Sequence, residues 1–339
     1  MNPPLHQPLH WGLIGASTIA AEHMIGAIRA TGGVVAHVVS GHAGHVASFA
    51  KAHGIAGHGS DLEAMLADPA IGAVYISSTN DKHRAQALAA IAAGKHVLCE
   101  KPLALTVADA EGMVEAAEAA GVVFATNHHL RNAGSHLTIR DLIRAGRIGR
   151  VLSMRVHHAV MLPPHLQGWR INDPEAGGGV IPDITVHDAD TVRFHLGEDP
   201  EEVVAMAVRS GLGEGVEDSV MSVWSMPSGV QVFAHESFTH GFAGSGIEVH
   251  GTEGSIFARG VMTQRPLGEI TLVTAAGAEG VPFPAHNLYV RGIEHFLAAI
   301  AGTGHPAADG WDGLRSLAVA LTVRAAAISG TRQRVVSGA

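Results

Sequence analysis

The chain lacks most of the features that mark secreted, membrane-spanning or nucleic-acid-binding proteins. Its 339 residues include one cysteine, Cys99, so no disulfide framework can form and a reducing cytoplasm is the expected compartment. The 22 lysines and arginines do not cluster, which argues against a nucleic-acid partner. No uncharged apolar run reaches the roughly 18 residues of a membrane helix. The segment Met1 to His10 lacks the basic and apolar regions of a signal peptide. The expected partner is therefore a small molecule, without nucleic acid or membrane.

Histidine and apolar residues are what the chain has in abundance. The 24 histidines are scattered, and neither a His-Glu-x-x-His motif nor a Cys/His array occurs, so we predict no metal site. Hydrophobic residues make up 47% of the chain, which is enough for two domains with a core each.

Short apolar runs alternate with helical patterns in the first part of the chain. Strands are predicted at 10–14, 34–39, 73–76 and 96–99, with helical patterns between them such as 85–93. This alternation is typical of a parallel sheet with crossover helices. We predict an α/β fold with a Rossmann doubly wound parallel sheet over residues 1–130.

A glycine turn follows the first strand. Gly15, Ser17 and Ala20 occupy the three positions at which the dinucleotide-binding fingerprint has its small residues. With Thr18 and Ile19 between them, they predict the turn that receives the pyrophosphate. The competing interpretation is an ordinary turn between a strand and a helix.

The segment after the second strand bears on which cofactor binds. Sites for NAD usually have Asp or Glu about twenty residues after the turn, but no acid occurs here between Val39 and Asp61. A carboxylate would repel a 2′-phosphate, so its absence permits NADP(H). Ser40 is expected to hydrogen-bond that phosphate and His42 or His45 to approach it, although both histidines fit a surface loop equally well.

A polar loop follows the strand that ends at Ile76, where ligands bind in such sheets. The side chains expected to touch the cofactor there are Ser78, Thr79, Asn80 and His83. Asn80 or His83 would equally serve as a cap for the next helix.

Two further segments contain the candidate catalytic residues. One is Cys99-Glu100-Lys101-Pro102 after a strand, and the other runs from Gly177 to Asp190. In the second segment Asp183, His187 and Asp190 are spaced i, i+4 and i+7, which predicts one shared helix face. Carbonyl reduction creates an alkoxide that needs positive charge and a proton, and these residue types supply both.

The chain from residue 131 to 339 reads as a second, α+β domain. Alternating runs at 151–156, 203–208, 219–224, 230–235, 246–250 and 270–273 predict a large open, mainly antiparallel sheet. Helical patterns cover 137–144, 289–300 and 314–328.

The order of these motifs resembles the glucose-fructose oxidoreductase / inositol dehydrogenase family. The motifs are Gly12–Gly15, Ser77–Asn80, Glu100–Pro102 and Gly177–His187, and the resemblance covers nearly the whole chain. It implies an NAD(P)-dependent oxidoreductase acting on the CH–OH or C=O of a cyclic sugar.

Longer runs at 11–20, 126–132, 163–170 and 177–190 resemble one NADPH-dependent branch of the family, which reduces the ketone of a cyclic sugar. Small residues in the cofactor pocket accompany NADPH in that branch, as Ser17, Ala20 and Ser40 would here. The branch has a basic side chain where this chain has His45.

The resemblance also assigns roles. Lys101, Asp183 and His187 correspond to the catalytic residues, Glu100 and Lys101 lie at the cofactor, and the Lys101–Pro102 bond is often cis. Lys101 and protonated His187 would stabilise the oxyanion while Asp183 keeps the site oriented. His187 is favoured as proton donor because the ordinary pKa of histidine is near neutral, and Lys101 is the alternative. The residues expected at the substrate are His128, Arg131, Trp169, Arg170, Asp183 and His187. Packing or surface exposure would explain His128, Arg131 and Trp169 equally well.

Two other functions stay open at this point. One is a different NAD(P)-dependent sugar or inositol dehydrogenase, and the other is a ligand sensor without catalysis. The joint presence of Lys101, Asp183 and His187 argues against the sensor. A monomer and a homo-oligomer formed through the open sheet face are both compatible with the sequence.

Overall fold

The computed structural model describes residues 8–337, which form two compact units. The first unit comprises the chain up to His128 together with Tyr289–Gly313. The second comprises His129–Leu288 and the chain from Leu314 onward. Residues 1–7, which contribute to the expectation that no signal peptide is present, lie outside the described residues.

The first unit is built on a six-stranded parallel sheet. Its strands are β1 (His10–Ile14), β2 (Val34–Val39), β3 (Gly57–Gly59), β4 (Ile71–Ile76), β5 (His96–Cys99) and β6 (Phe124–Thr126). The strand order is β3-β2-β1-β4-β5-β6, and every pair is parallel. From β1 the strands are added first on one side of the sheet, as β2 and β3, and then on the other side, as β4, β5 and β6. The loops after β1 and β4 therefore lie next to each other at the carboxyl edge of the sheet. The predicted Rossmann sheet is confirmed.

Five helices connect these strands. They are α1 (Ile25–Ala30), α2 (Ala43–His53), α3 (Leu62–Ala67), α4 (His83–Ala92) and α5 (Val107–Ala120). A π-helical segment, Ala20–Met24, precedes α1. The ends of these helices follow local rules: Asp61 and Thr106 accept hydrogen bonds from the backbone at the starts of α3 and α5, and Gly54 ends α2 in the left-handed region.

A nine-stranded sheet forms the frame of the second unit. Its strands are β7 (Val151–Met161), β8 (Glu202–Val208), β9 (Ser219–Ser225), β10 (Gln231–Ser237), β11 (Thr239–Gly251), β12 (Gly254–Arg259), β13 (Glu269–Thr274), β14 (Gly277–Gly280) and β15 (Gln333–Arg334). The order is β14-β13-β12-β11-β7-β10-β9-β8-β15. Only β7 and β10 pair in parallel, so the expected mainly antiparallel sheet is confirmed.

The remaining helices are α6 (Gly134–Arg144), α7 (Trp169–Asn172), α8 (Val186–Leu196), α9 (Leu288–Ile300) and α10 (Gly310–Ser329). A second π-helical segment, Ile181–Thr185, leads into α8. Alternate residues of the sheet, such as Val232 and Ala234 on β10, are buried in one core with residues of α8. The core of the second unit therefore fixes α8 against the sheet.

The predicted division at residue 130 needs one correction, since Tyr289–Gly313 belongs to the first unit. The ring of Phe296 packs on Trp11 with centroids 5.3 Å apart. The Thr126 amide donates to the Ala308 carbonyl over 3.1 Å. These contacts join residues that are far apart in sequence. The helical pattern at 289–300 shows that the helix has an apolar face, but it does not show which of the two hydrophobic cores that face packs into.

Large apolar side chains remain exposed on the nine-stranded sheet. Met206 is 80% exposed, and Val208, Met221, Val223 and Phe233 are also exposed on β8, β9 and β10. Contiguous apolar surface is typical of interaction sites. A homo-oligomer formed through this face stays a prediction.

Candidate active site

Gly15 lies where three loops of the first unit meet. Its amide donates to the Val39 carbonyl at the end of β2 over 2.9 Å, and its φ of +109° lies in the region that favours glycine. A Cβ at this position would lie 2.9 Å from the backbone of Ser77 and Ser78, so a side chain does not fit. The bare backbone leaves the cradle that a dinucleotide requires at this turn. The residues present therefore fit an NAD(P) cofactor.

Ser17 connects the glycine turn to the loop after β4. Its hydroxyl lies 2.7 Å from the Ser77 hydroxyl and accepts a hydrogen bond from the Ala20 amide over 3.2 Å. Thr18 is exposed and Ile19 half-buried at the start of the following helical segment. The structure thus brings together the residues expected at the pyrophosphate.

The segment after β2 approaches the same turn. The Ser40 amide donates to the Gly59 carbonyl over 3.0 Å. His45, on the first turn of α2, places Nε2 2.9 Å from the Ala16 carbonyl. His45 therefore reaches the glycine turn, and no acidic residue occurs in the sequence from Ser40 to His45. Contact of His45 with the cofactor stays a prediction.

His83 corrects one prediction. Its ring is fully buried, with Nδ1 2.8 Å from the Pro102 carbonyl and Nε2 3.2 Å from the Ser78 carbonyl. Burial lowers the pKa of His83, and the two carbonyls partly offset that effect. A ring with no exposed surface has no face for a cofactor. His83 instead connects the loop after β4 to the segment that follows Lys101.

The loop after β4 holds the other three residues expected at the cofactor. The Ser78 hydroxyl donates to Gln86 Oε1 over 2.6 Å. Thr79 precedes a short 3₁₀ turn, Asn80–Lys82, in which Asn80 is buried. Their contacts with the cofactor stay predictions.

Glu100 is held by two side chains that the sequence analysis did not assign. The Tyr75 hydroxyl and the Asn127 amide nitrogen both donate to its Oε1, each over 2.5 Å. Burial raises the pKa of Glu100, although these two hydrogen bonds oppose the rise. Asn127 follows β6 at the edge where the other loops lie, and that position is the signal that would have identified it.

Lys101 follows β5 at the same edge of the sheet and is half-buried. The Lys101–Pro102 peptide bond is cis, as the resemblance implied. In the same unit His128 is buried just after β6, and its amide donates to the Thr126 carbonyl over 2.8 Å.

In the second unit a glycine run packs onto the segment that contains Trp169. Gly178 donates its amide to the Asp173 carbonyl over 2.9 Å, and Gly179 donates to the Arg170 carbonyl over 2.8 Å. A Cβ on Gly178 would lie 2.8 Å from the Trp169 carbonyl oxygen. The glycines permit this close approach, which brings the start of the next helical segment beside Arg170.

Asp183 and Arg170 form an ion pair as a result. Asp183 Oδ2 lies 3.5 Å from Arg170 Nε, and Arg170 Nη1 donates to the Leu166 carbonyl over 3.3 Å. The guanidinium carbon lies 4.8 Å from the centroid of the Trp169 ring. Asp183, Arg170 and Trp169 form one polar and aromatic cluster, whose predicted contact with a sugar stays a prediction.

His187 lies on the first turn of α8 and is 8% exposed. Its ring meets His129 edge to face, with centroids 4.9 Å apart. Asp183 lies in the π-helical segment before α8 and not in α8 itself. The segment that contains Asp183 therefore has a wider helical turn than the segment that contains His187.

Asp190 has a buried network of its own, and a face shared by Asp183, His187 and Asp190 stays a prediction. The Arg131 guanidinium binds both Asp190 oxygens, with Nη2 2.7 Å from Oδ1, and its side chain is 9% exposed. Arg193 and Ser316 complete this buried network. Arg131, expected at the substrate, therefore neutralises a buried aspartate.

Residues 8–337 contain neither a candidate metal cluster nor a candidate membrane helix. No group of three or more His, Cys, Asp or Glu side chains there is arranged to hold a metal ion. No helix in that range is both long and apolar enough to cross a bilayer.

Two family models match the chain in succession. Residues 9–128 match the model described as "Oxidoreductase family, NAD-binding Rossmann fold", and residues 136–257 match the "GFO/IDH/MocA C-terminal domain". The 1,5-anhydro-D-fructose reductase of Ensifer adhaerens is 55% identical over 329 residues, covering 97% of this chain and 99% of the relative.

More distant relatives agree with this assignment. The inositol 2-dehydrogenase of Rhizobium meliloti is 30% identical, covering 92% of this chain and 94% of its own. The aldose-aldose oxidoreductase of Caulobacter crescentus has the same fold, with a TM-score of 0.89, 24% identity and coverage of 97% and 100%. With both halves matched in order and a relative similar over nearly its full length, the chain belongs to the GFO/IDH/MocA family of NAD(P)-dependent oxidoreductases.

Proposed function

We propose that this oxidoreductase uses NADPH to reduce the C2 ketone of 1,5-anhydro-D-fructose to 1,5-anhydro-D-mannitol. The observation that carries the proposal is the 55% identity, over 97% of the chain, to a relative named for reduction of that sugar. The Gly15 cradle and the residues Lys101, Asp183 and His187 support it from the chain itself.

The reaction turns a carbonyl oxygen into an alkoxide, so the residues must supply positive charge and a proton. The Lys101 ammonium stabilises the negative charge that develops on the oxygen. His187 donates the proton, because the ordinary pKa of histidine lies near neutral and the ring can return to its protonated form between turnovers. The bound nicotinamide supplies the hydride.

Asp183 acts by orienting the side chains of the site. Its carboxylate faces the Arg170 guanidinium, which also lies over the Trp169 ring. In this arrangement Arg170 is fixed as a donor for sugar hydroxyls, and the Trp169 face suits a sugar ring.

The preference for NADPH is carried by the segment after β2. A carboxylate there would accept a hydrogen bond from the ribose of NAD and repel the phosphate of NADP. This chain has Ser40 and no acid up to His45, whose ring reaches the Ala16 carbonyl. Ser40 therefore serves as a donor to the 2′-phosphate, and His45 lies on the same side of the turn.

The test is the loss of NADPH absorbance with 1,5-anhydro-D-fructose, compared with NADH and with a Lys101→Ala variant. We expect NADPH-dependent turnover, reduced about 10²- to 10³-fold in the variant, because one preorganised charge at the oxyanion is worth that much. Lys51→Ala, which removes an exposed lysine of α2, is the matched control and should leave turnover unchanged.

Three results would contradict the proposal. Reduction of NAD by myo-inositol without turnover of the keto sugar would indicate a dehydrogenase of another cyclic polyol. Binding of NADPH with no turnover of any sugar would indicate a sensor. A His187→Asn variant that kept the pH dependence of kcat would assign proton donation to Lys101.

A further inference from the structure

Two acidic side chains with no assigned role are buried against each other in the second unit. Asp188 is on α8, Glu236 is on β10, and both are fully buried. Their four carboxyl oxygens lack a well-oriented donor among the described residues. Both carboxyls neighbour His158, which is the register partner of Glu236 and whose Nδ1 lies 3.6 Å from Asp188 Oδ1, and they are close enough to interact with each other. A hydrogen bond between two carboxyl groups exists only when one of them carries a proton.

The surroundings are too apolar to hold two negative charges. Glu236 lies on the same covered face of β10 as Val232 and Ala234, and both of these are core residues. Burial raises the pKa of Asp188 and of Glu236 well above the usual range, and the proximity of Asp188 raises that of Glu236 further. Two carboxylates that share such a site do not both ionise at neutral pH.

Few polar groups face the pair from the neighbouring elements. His158 on β7 is the register partner of Glu236, and its Nδ1 lies 3.6 Å from Asp188 Oδ1. The Thr185 hydroxyl, from the π-helical segment, acts on Glu236 and lowers its pKa slightly. Behind His158, burial lowers the pKa of His136 on α6 to about 4, so that ring is neutral. His158 is therefore the titratable side chain of the adjoining strand that lies next to the pair.

We propose that Asp188 and Glu236 share one proton in the folded protein and act as positioning residues for the reaction. The shared proton bonds α8 to β10, and His187 is the residue directly before Asp188 on α8. The role in the reaction rests on the proposed function of His187, whereas the sharing of the proton does not.

The variants Glu236→Gln and Asp188→Asn separate the two parts of the proposal. Each puts an amide N–H in place of the acid proton and keeps one carboxylate, so each is a permanent mimic of the singly protonated pair. Glu236→Leu removes the bond. We expect the amide variants to keep kcat for the keto sugar within about twofold and the leucine variant to lose about tenfold, with KM for NADPH unchanged in all three.

The proton itself is detected by infrared difference spectroscopy at neutral pH. The C=O band of a protonated carboxylic acid is expected in the wild type minus Glu236→Gln spectrum and in the wild type minus Asp188→Asn spectrum. Glu269→Gln, which changes an exposed glutamate of β13 in the same sheet, should give no such band.

The pH dependence of the unfolding midpoint provides a second measurement. Because the pair's pKa is raised on folding, its contribution to stability is present below the ordinary glutamate pKa of 4.5 and declines as pH rises towards the folded value. The midpoint of Glu236→Gln minus that of the wild type should therefore increase as pH rises above 4.5. The difference for Glu269→Gln should stay flat.

Each part can fail separately. Absence of the infrared band in both difference spectra, or a flat midpoint difference for Glu236→Gln, would overturn the shared proton. Wild-type kcat in Glu236→Leu would overturn the positioning role. If the wild type does not reduce the keto sugar at all, the proposed function fails while the infrared result still decides the proton.

Discussion

Two arginine–aspartate pairs in the second unit differ in how deeply they are buried. Arg131 binds Asp190 through two parallel hydrogen bonds in a nearly closed site, where removal of either partner would break a buried ion pair. Arg170 meets Asp183 at 3.5 Å, with both side chains partly exposed. The second pair is therefore the more accessible of the two to solvent.

Ser40 is the residue at which cofactor choice can be tested. In Ser40→Asp a carboxylate would repel a 2′-phosphate and accept a hydrogen bond from an unmodified ribose. We expect the ratio of kcat/KM for NADPH to that for NADH to fall about tenfold or more. Steady-state kinetics with both cofactors provide the measurement. Ser48→Asp adds the same charge at an exposed position of α2 and should leave the ratio unchanged.

At the scale of elements, α6 and α8 are joined by a pair of buried histidines. His136 Nδ1 lies 3.2 Å from His195 Nε2, and His136 Nε2 lies 3.1 Å from the Val261 carbonyl. Because the carbonyl requires a donor, His136 donates from Nε2 and accepts from His195 at Nδ1. Both rings are neutral, since burial lowers the pKa of His136 to about 4 and that of His195 well below its ordinary value.

This pair predicts a loss of stability in acid. The folded pKa of His136 is lower than the ordinary value of 6.5, so the unfolded chain binds protons more readily between pH 6.5 and 4. We expect its contribution to the free energy of unfolding to decline over that range by on the order of 3 kcal/mol. Urea unfolding at several pH values should show a shallower acid decline in His136→Leu than in the wild type.

The comparison removes the effect of other titrating groups, because they are the same in both proteins. His165→Leu, at an exposed histidine, is the control and should keep the wild-type slope. An unchanged slope in His136→Leu would mean that His136 titrates alike in the folded and unfolded chain.

At the scale of the whole molecule, the first unit is discontinuous in sequence. Trp11 and Phe296 are both buried and their rings are in contact, while Tyr289 stacks on His23 with centroids 4.6 Å apart. Losing a buried phenylalanine costs about 3–5 kcal/mol. That is a large part of the total stability of about 5–15 kcal/mol for an ordinary domain.

A fragment of residues 8–128 should therefore fail to fold cooperatively. The same fragment joined to 289–313 by a flexible linker should unfold in a single urea transition and bind NADPH. Near-ultraviolet circular dichroism and cofactor titration of the two fragments provide the measurement. Cooperative unfolding of 8–128 alone would show that the later segment is dispensable.

Much of the architecture could be predicted because it depends on local pattern. The bounds of β1, β2 and β5 are as expected, since each is a short apolar run with a clear end. The strands β3 and β6 were not expected, because three residues have too little periodicity. The long strand β11 was expected only from Gly246, because its glycine-rich first half does not alternate.

The sequence by itself determined the order of elements, the glycine turn at Gly15 and the presence of Lys101, Asp183 and His187. Periodicity, positive φ and residue chemistry are properties of a short segment, so they can be read without a fold. Only the tertiary structure decided that His83 faces inward, that Arg131 binds Asp190 and that Asp188 meets Glu236. Those contacts join distant positions, and burial decides their charge, so no local pattern contains them.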